Sequence, residues 1–189
     1  MAVLTVKKNV EFADYTPGWK TVIIEAAKRG AYDQGIAGGK KYLDLFFEGY
    51  PENIKLRVHQ KFNKTTNEEF NIANAFRYAN AGISDASESE TEVRVEIDTT
   101  PENIIGKKLN VYFYKKANGY TEVSDNVAPG EPFENIVETF DEKRIENFKK
   151  YTFENRIKPY VSTISSDDWD TPSENGDGGP PEEKEEDWS

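Results

Sequence analysis

Four side chains at alternate positions, Lys55, Arg57, His59 and Lys61, carry the sharpest chemical signal in this chain. Period-two spacing sends them to one side of an extended strand and Ile54, Leu56 and Val58 to the other. No carboxylate stands among the four, so their side reads as basic. Lys40 and Lys41 open the preceding segment, and Lys28 and Arg29 close the first one. Tyr42, Phe46 and Tyr50 are interleaved with these cations. Tyr112 and Tyr114, alternating within KKLNVYFYKK, are two more rings expected to point outward. Cations that track a sugar–phosphate backbone, with aromatic rings on which bases stack, are the components of a single-strand binding surface. Most alternating polar strands are only the wet side of a sheet, but those usually mix charges. These thirteen residues form the candidate DNA-binding set.

The second signal lies at the other end of the chain. Ser165 to Ser189 holds ten Asp or Glu and a single Lys, and so carries −9 of the chain's net −11. The remaining residues are therefore near neutral and free to be polarised, and the acidic total does not exclude a phosphate-bearing partner. Gly, Pro and like charge keep this stretch from building a core, so it is expected to be disordered. It nevertheless holds Trp169 in Asp-Asp-Trp-Asp and Trp188 in Glu-Asp-Trp-Ser. A spacer or solubilising tail needs no tryptophan. An aromatic anchor among acids suits a basic, apolar-floored pocket on another protein. Trp169, Asp187 and Trp188 are the candidate partner-binding residues.

Enzymatic signals are poor. The chain has no cysteine and one histidine, His59, which leaves no thiolate metal site, no multi-histidine metal site and little material for a histidine-based triad. Gly35-Ile-Ala-Gly-Gly-Lys-Lys lacks the spacing and the Ser/Thr of a phosphate-binding loop. Asp/Glu pairs are frequent, at a density typical of surfaces. A non-catalytic protein without metal or cofactor is expected. Its amino-terminal stretch lacks the apolar run of a signal peptide, and no run is long enough to span a membrane, so a cytoplasmic location is expected.

These residues need elements to hold them. Strand patterns run from Trp19 (WKTVIIEAAKRGAY), over 40–48 and over 54–62. A helix follows, with Asn67 as N-cap, Glu68 and Glu69 in its first turn and Gly82 as C-cap. SDASESE reads as a loop. EVRVEID reads as a strand with Val93, Val95 and Ile97 on one face, and KKLNVYFYKK as another with Leu109, Val111 and Phe113 inward. Asn118-Gly119 marks a hairpin, and YTEVSDNV returns. Asp141 is placed to cap a helix over about 142–157, with Ile145 and Phe148 facing the body. Three strands, a helix and then further strands is the order of an OB-fold, a small mainly-β Greek-key barrel whose second and third strands line a nucleic-acid groove. A ferredoxin-like order needs a helix where the Gly-rich 31–39 stands. The expected division is an OB-fold nucleic-acid-binding domain over 1–140, a helical extension over 141–164 and the acidic tail over 165–189.

Taken together, Pro17-Gly18 before the first strand, the paired strands at 40–62, NIANAFRYANAGI at 71–83 and Ile105-Gly-Lys-Lys opening LNVYFYKK resemble the OB-fold single-stranded DNA-binding proteins of phages and prophages. The resemblance runs through most of 15–130, and the acidic tail ending near an aromatic is similar to tails that recruit replication and repair enzymes. Trp188 followed by Ser189 takes the place of the usual terminal apolar residue. The resemblance implies binding of single-stranded DNA with little sequence preference, in phage replication or recombination in the host cytoplasm, with replication or recombination proteins as tail partners. An acidic DNA mimic or inhibitor, or a structural phage protein, is the other expectation. A mimic, however, should spread acid over its folded body, whereas here it is concentrated in the tail.

Overall fold

The computed structural model describes residues 14–35 and 37–166. The protein is mainly β. An antiparallel sheet is built on β1 (Gly18–Ala31), which is long enough to serve two partners. Its first half, Gly18 to Ile23, pairs with β6 (Lys108–Lys115), and its second half, Ile24 to Ala31, pairs with β2 (Lys41–Phe47). A register shift between Ile24 and Ala26 marks the change of partner. Such a bulge bends the strand and increases its twist. β2 continues into β3 (Lys55–His59), and β6 pairs on its far edge with β7 (Thr121–Val123) and β8 (Ala128–Pro129). The order β3-β2-β1-β6-β7 brings the two outer strands back towards each other.

Inward positions follow the alternation in the sequence. Leu43, Leu45 and Phe47 from β2, Leu56 and Val58 from β3, and Leu109, Val111 and Phe113 from β6 are all buried. They enclose the core together with Val22, Ile24 and Ile104. Ile72, Ala75 and Phe76 of α1 (Asn71–Tyr78) join the same core. The helix is shorter than the sequence suggested. Asn67 is not its N-cap but a left-handed turn residue with φ 55°. The Glu69 carboxylate instead accepts hydrogen bonds from the backbone N–H groups of Asn71, Ile72 and Ala73 at 2.9, 2.9 and 3.1 Å. That satisfies three of the donors every helix start leaves open. Gly82 is not the C-cap, a position held by Ala79. A Cβ on Gly82 would overlap the Asp98 carbonyl, whose own N–H donates to the Gly82 carbonyl at 2.7 Å. The glycine is needed where the chain crosses itself.

That crossing closes an excursion from the sheet. SDASESE is not a loop: β4 (Ile83–Glu88) pairs with β5 (Val93–Ile97) as a separate two-stranded ribbon. EVRVEID is therefore not a strand of the main sheet, and Val93 is 48% exposed. Alternation identified the strand but not its sheet, because period two is the same in both. A small ribbon of β9 (Phe133–Glu134) and β10 (Thr139–Phe140) follows β8.

The chain then closes with a helical segment. Asp141 caps α2 (Glu142–Thr152), its carboxylate accepting from the Arg144 N–H at 2.7 Å. The helix does not stop near 157. It passes through a π-helical turn, Phe153–Ile157, into α3 (Lys158–Ser166). Ile145, Thr152 and Ile157 are buried, whereas Tyr151 is exposed. Among the described residues, no helix is long and apolar enough to cross a membrane.

Candidate nucleic-acid interface

The register is the one the alternation implied, with Lys55, Arg57 and His59 on the outward side of β3. Tyr42, Asp44 and Phe46 of β2 stand opposite His59, Arg57 and Lys55 of β3, and on the other side opposite Gly30, Lys28 and Ala26 of β1. Three rows of outward side chains result. Their inward neighbours, Leu43, Leu45, Leu56 and Val58, are fully buried, which fixes the register.

The face is not free of acid. Asp44 sits at its centre, buried to 6% exposure. Its carboxylate accepts from Arg57 Nε and Nη2, both at 2.7 Å, and lies 3.4 Å from Lys55 Nζ. Burial by itself would raise the carboxyl's pKa. The bidentate Arg57 and the charges of Arg57 and Lys55 outweigh it and hold the group below its ordinary value. Asp44 in turn holds the Arg57 guanidinium above its ordinary range, against the opposing effect of burial. The acid escaped notice because it belongs to the neighbouring strand, and only the pairing register brings it between the cations.

Around this pair Tyr32, Tyr42 and His59 form one cluster of rings. The Arg57 guanidinium lies 3.8 Å from the centre of the Tyr42 ring and donates to the Tyr32 hydroxyl at 3.2 Å. Tyr32 stacks on His59 with centroids 5.9 Å apart and an interplanar angle of 13°, and its hydroxyl lies 3.2 Å from His59 Nε2. Tyr32 was not in the candidate set. It lies in a loop where no alternation could assign it a side. Tyr42 packs directly over Gly30, where any Cβ would run into the ring. Phe46 has Lys28 at 5.1 Å and Lys55 at 5.3 Å from its centroid. Burial, together with the positive Lys40 and Arg57, lowers the His59 pKa and favours the neutral ring.

Other candidates fall elsewhere. Arg29 has the opposite parity from Lys28 and donates to the Thr99 carbonyl at 2.6 Å. Lys41 shares parity with Leu43 and is exposed at the start of β2. Lys61 lies beyond β3 and pairs with Asp125 at 3.2 Å. Tyr50 packs edge-on against Phe47, Phe113 and Tyr15 at the end of the core. Tyr112 and Tyr114 do point away from the core, but the closing helical segment covers them. Tyr112 meets Phe153 at 5.3 Å and Trp19 at 5.5 Å. Tyr114 is 5% exposed and donates to Glu122 at 2.8 Å. Burial and that carboxylate push its pKa well up. Neither tyrosine joins the basic face. Trp169, Asp187 and Trp188 lie outside the described residues.

Beside the face, a cleft of about 590 Å³ separates β3 from β7, with the closing helical segment as its third wall. Lys55, Arg57 and His59 form one side, Glu122 and Asp125 the other, and Arg156 and Tyr160 come from the helical wall. Both carboxylates are engaged: Glu122 with Lys116 and Tyr114, Asp125 with Lys61. Among the described residues, no group of His, Asp or Glu is arranged to hold a metal ion. No protein-family model matches the chain, and no curated protein matches it.

Proposed function

We propose that the protein binds single-stranded DNA without strong sequence preference, as a non-catalytic component of phage replication or recombination. The observation that carries this reading is the outer face of β1–β3. Phe46 between Lys28 and Lys55, and Tyr42 beneath Arg57, set rings and cations side by side on one sheet surface. Every base has a face to stack, and each stacked base contributes about 1–3 kcal/mol whatever its identity. Cations beside the rings meet the phosphates that run between stacked bases.

The topology supports an OB-fold reading. A long first strand shared between two partners, a meander to the third strand, a helix, and a return strand that pairs with the first are the features of that barrel, and the OB groove runs over strands two and three. Here that is the Tyr42–Phe46 and Lys55–His59 surface. The ribbon of β4 and β5 is an insertion before the return strand. The acidic segment after the last helix is proposed to recruit replication or recombination proteins through Trp169 and Trp188.

The test is a titration of fluorescent oligo(dT) and of a duplex of equal length, over a salt series, with the full chain and with a chain ending at Ser166. Tighter binding of the single strand is expected, with affinity falling as salt rises. The shortened chain should bind more tightly at low salt and equally at high salt, where the acidic segment is screened. Its pull-downs should lose the replication partners. Equal affinity for duplex and single strand would overturn the stacking mechanism.

A further inference from the structure

The closing helical segment carries a spacing that ordinary helix packing does not explain. Its body-facing residues are Ile145, Phe148, Thr152 and Ile157, at steps of three, four and five. In an uninterrupted α-helix the residue after Thr152 on this stripe is position 156. That would drive the Arg156 guanidinium into the core. The π-helical turn inserts one extra residue, so that Ile157, at 1% exposure, takes the buried place and Arg156 turns outward. Such turns are rare, appear mostly as single insertions within α-helices and are frequent at functional sites.

Arg156 then lies one turn from Tyr160, and both line the cleft beside β3. Tyr160 is 55% exposed and held edge-on to Tyr114 at 6.0 Å. Arg156 differs from the other cations of the cleft. Lys55 and Arg57 share Asp44. Arg156 has no acidic partner among the described residues. Lys55, Arg57 and Arg156 line the cleft against two carboxylates, Glu122 and Asp125, which are paired with lysines outside it, Lys116 and Lys61. The cleft is thus an aromatic-floored site of net positive charge, and its volume falls within the roughly 300–1,000 Å³ typical of ligand sites.

We infer that this cleft seats a nucleotide of the bound single strand, Arg156 holding its phosphate and Tyr160 stacking its base. The inference rests on the reading given above and extends its surface from the sheet to the helical segment. The strand leaves the Tyr42–Phe46 face past His59 and enters between β3 and α3. The segment that buries Tyr112 and Tyr114 thereby supplies an exposed ring of its own in their place.

The test uses the full chain and oligo(dT), with Phe46→Ala as the reference for the sheet face. Tyr160→Ala should weaken binding by roughly 5- to 150-fold, as expected for loss of one stacked base, and Tyr160→Phe should bind like the wild type. Arg156→Ala should lower the slope of log affinity against log salt by about 0.7. Ultraviolet cross-linking to thymine should label Tyr160. Arg156 is exposed and Tyr160→Phe keeps the ring against Tyr114, so unchanged thermal unfolding is expected in those two variants, and Tyr160→Ala, which loses that contact, is compared well below its melting temperature. Wild-type affinity and salt slope in Tyr160→Ala and Arg156→Ala, alongside weakened Phe46→Ala, would overturn the cleft while leaving the sheet face standing. A loss in Tyr160→Phe as large as in Tyr160→Ala would overturn stacking. Failure of the wild type to prefer single strands would overturn both readings.

Discussion

The outer face of β2–β3 and the outer face of β6 look alike on paper and differ in the molecule. Each alternates rings or cations with buried apolar residues, and each turns away from the core. Over β2–β3, Tyr32 packs on Tyr42 and His59, no helix among the described residues covers the face, and Tyr42, Phe46, Lys55 and Arg57 remain partly open to solvent. Over β6 lie α2, the π turn and α3, and Tyr114 is as buried as a core residue. Alternation separates inside from outside. It does not say which outside is covered. The cover comes from a segment roughly 40 residues further on, whose stripe is legible only as a separate amphipathic pattern.

The comparison breaks most decisively at the cover. Ile157→Ala should destabilise the fold by about 2–5 kcal/mol, the range for a fully buried aliphatic residue. Chemical denaturation would measure it. A loss below about 1 kcal/mol would mean that the helical segment is a peripheral addition and the β6 face is effectively open.

A crossed pair sharpens the contrast. Phe46→Ala should cost about 1–3 kcal/mol in oligo(dT) binding with little change in melting temperature. Tyr112→Ala should do the reverse, lowering stability and leaving affinity intact, because its ring is packed between Trp19 and Phe153. Identical behaviour of the two variants would erase the distinction between the faces.

Asp44→Asn probes the open face alone. Stability should fall by about 1 kcal/mol, a modest cost because the Arg57 side chain is 31% exposed and can rehydrate. Affinity for single strands should rise and its salt dependence steepen, since Arg57 and Lys55 lose their internal counterion. The acid limb of the stability curve carries the same signature. A carboxyl held below its ordinary value stabilises the fold above the unfolded pKa, and this contribution is lost as pH falls through the folded one. Below roughly pH 4 the wild type should therefore lose stability more steeply than Asp44→Asn. Parallel acid limbs would show the pair to be energetically silent.

The smallest effect is an expected absence. His59 has its pKa lowered by burial and by Lys40 and Arg57, and should stay neutral. Affinity should then hold level between roughly pH 6.5 and pH 8. A drop across that range would mean that an imidazolium contributes to binding.

Much of this was readable in advance, and the limits have a common cause. The three-strand meander and its register followed from Ile54, Leu56 and Val58, because each is flanked by side chains that cannot be buried unpaired. The Asp141 cap followed from local chemistry. What escaped was non-local. Asp44 lies 13 residues from its partner Arg57 and is joined to it only by strand pairing. The β4–β5 ribbon uses the same period two as the main sheet. Glu69 caps the helix in place of Asn67 because it stands two residues before Asn71, where its carboxylate reaches forward to three open donors.

The divided allegiance of β1 also orders events in time. Ala31 pairs with Lys41, ten residues on, whereas Gly18 pairs with Phe113, ninety-five residues on. Closing the longer loop costs about 2 kcal/mol more in chain entropy. The half of β1 beyond the bulge can thus find its partners early, and the half before it must wait for β6. The bulge between Ile24 and Ala26 is a seam between short-range and long-range pairing, and so between the half expected to assemble early and the half expected to assemble late. The surface of Tyr42, Phe46 and Arg57 lies on the short-loop side of that seam, and is expected to form before the chain that will cover β6 has anything to pack against.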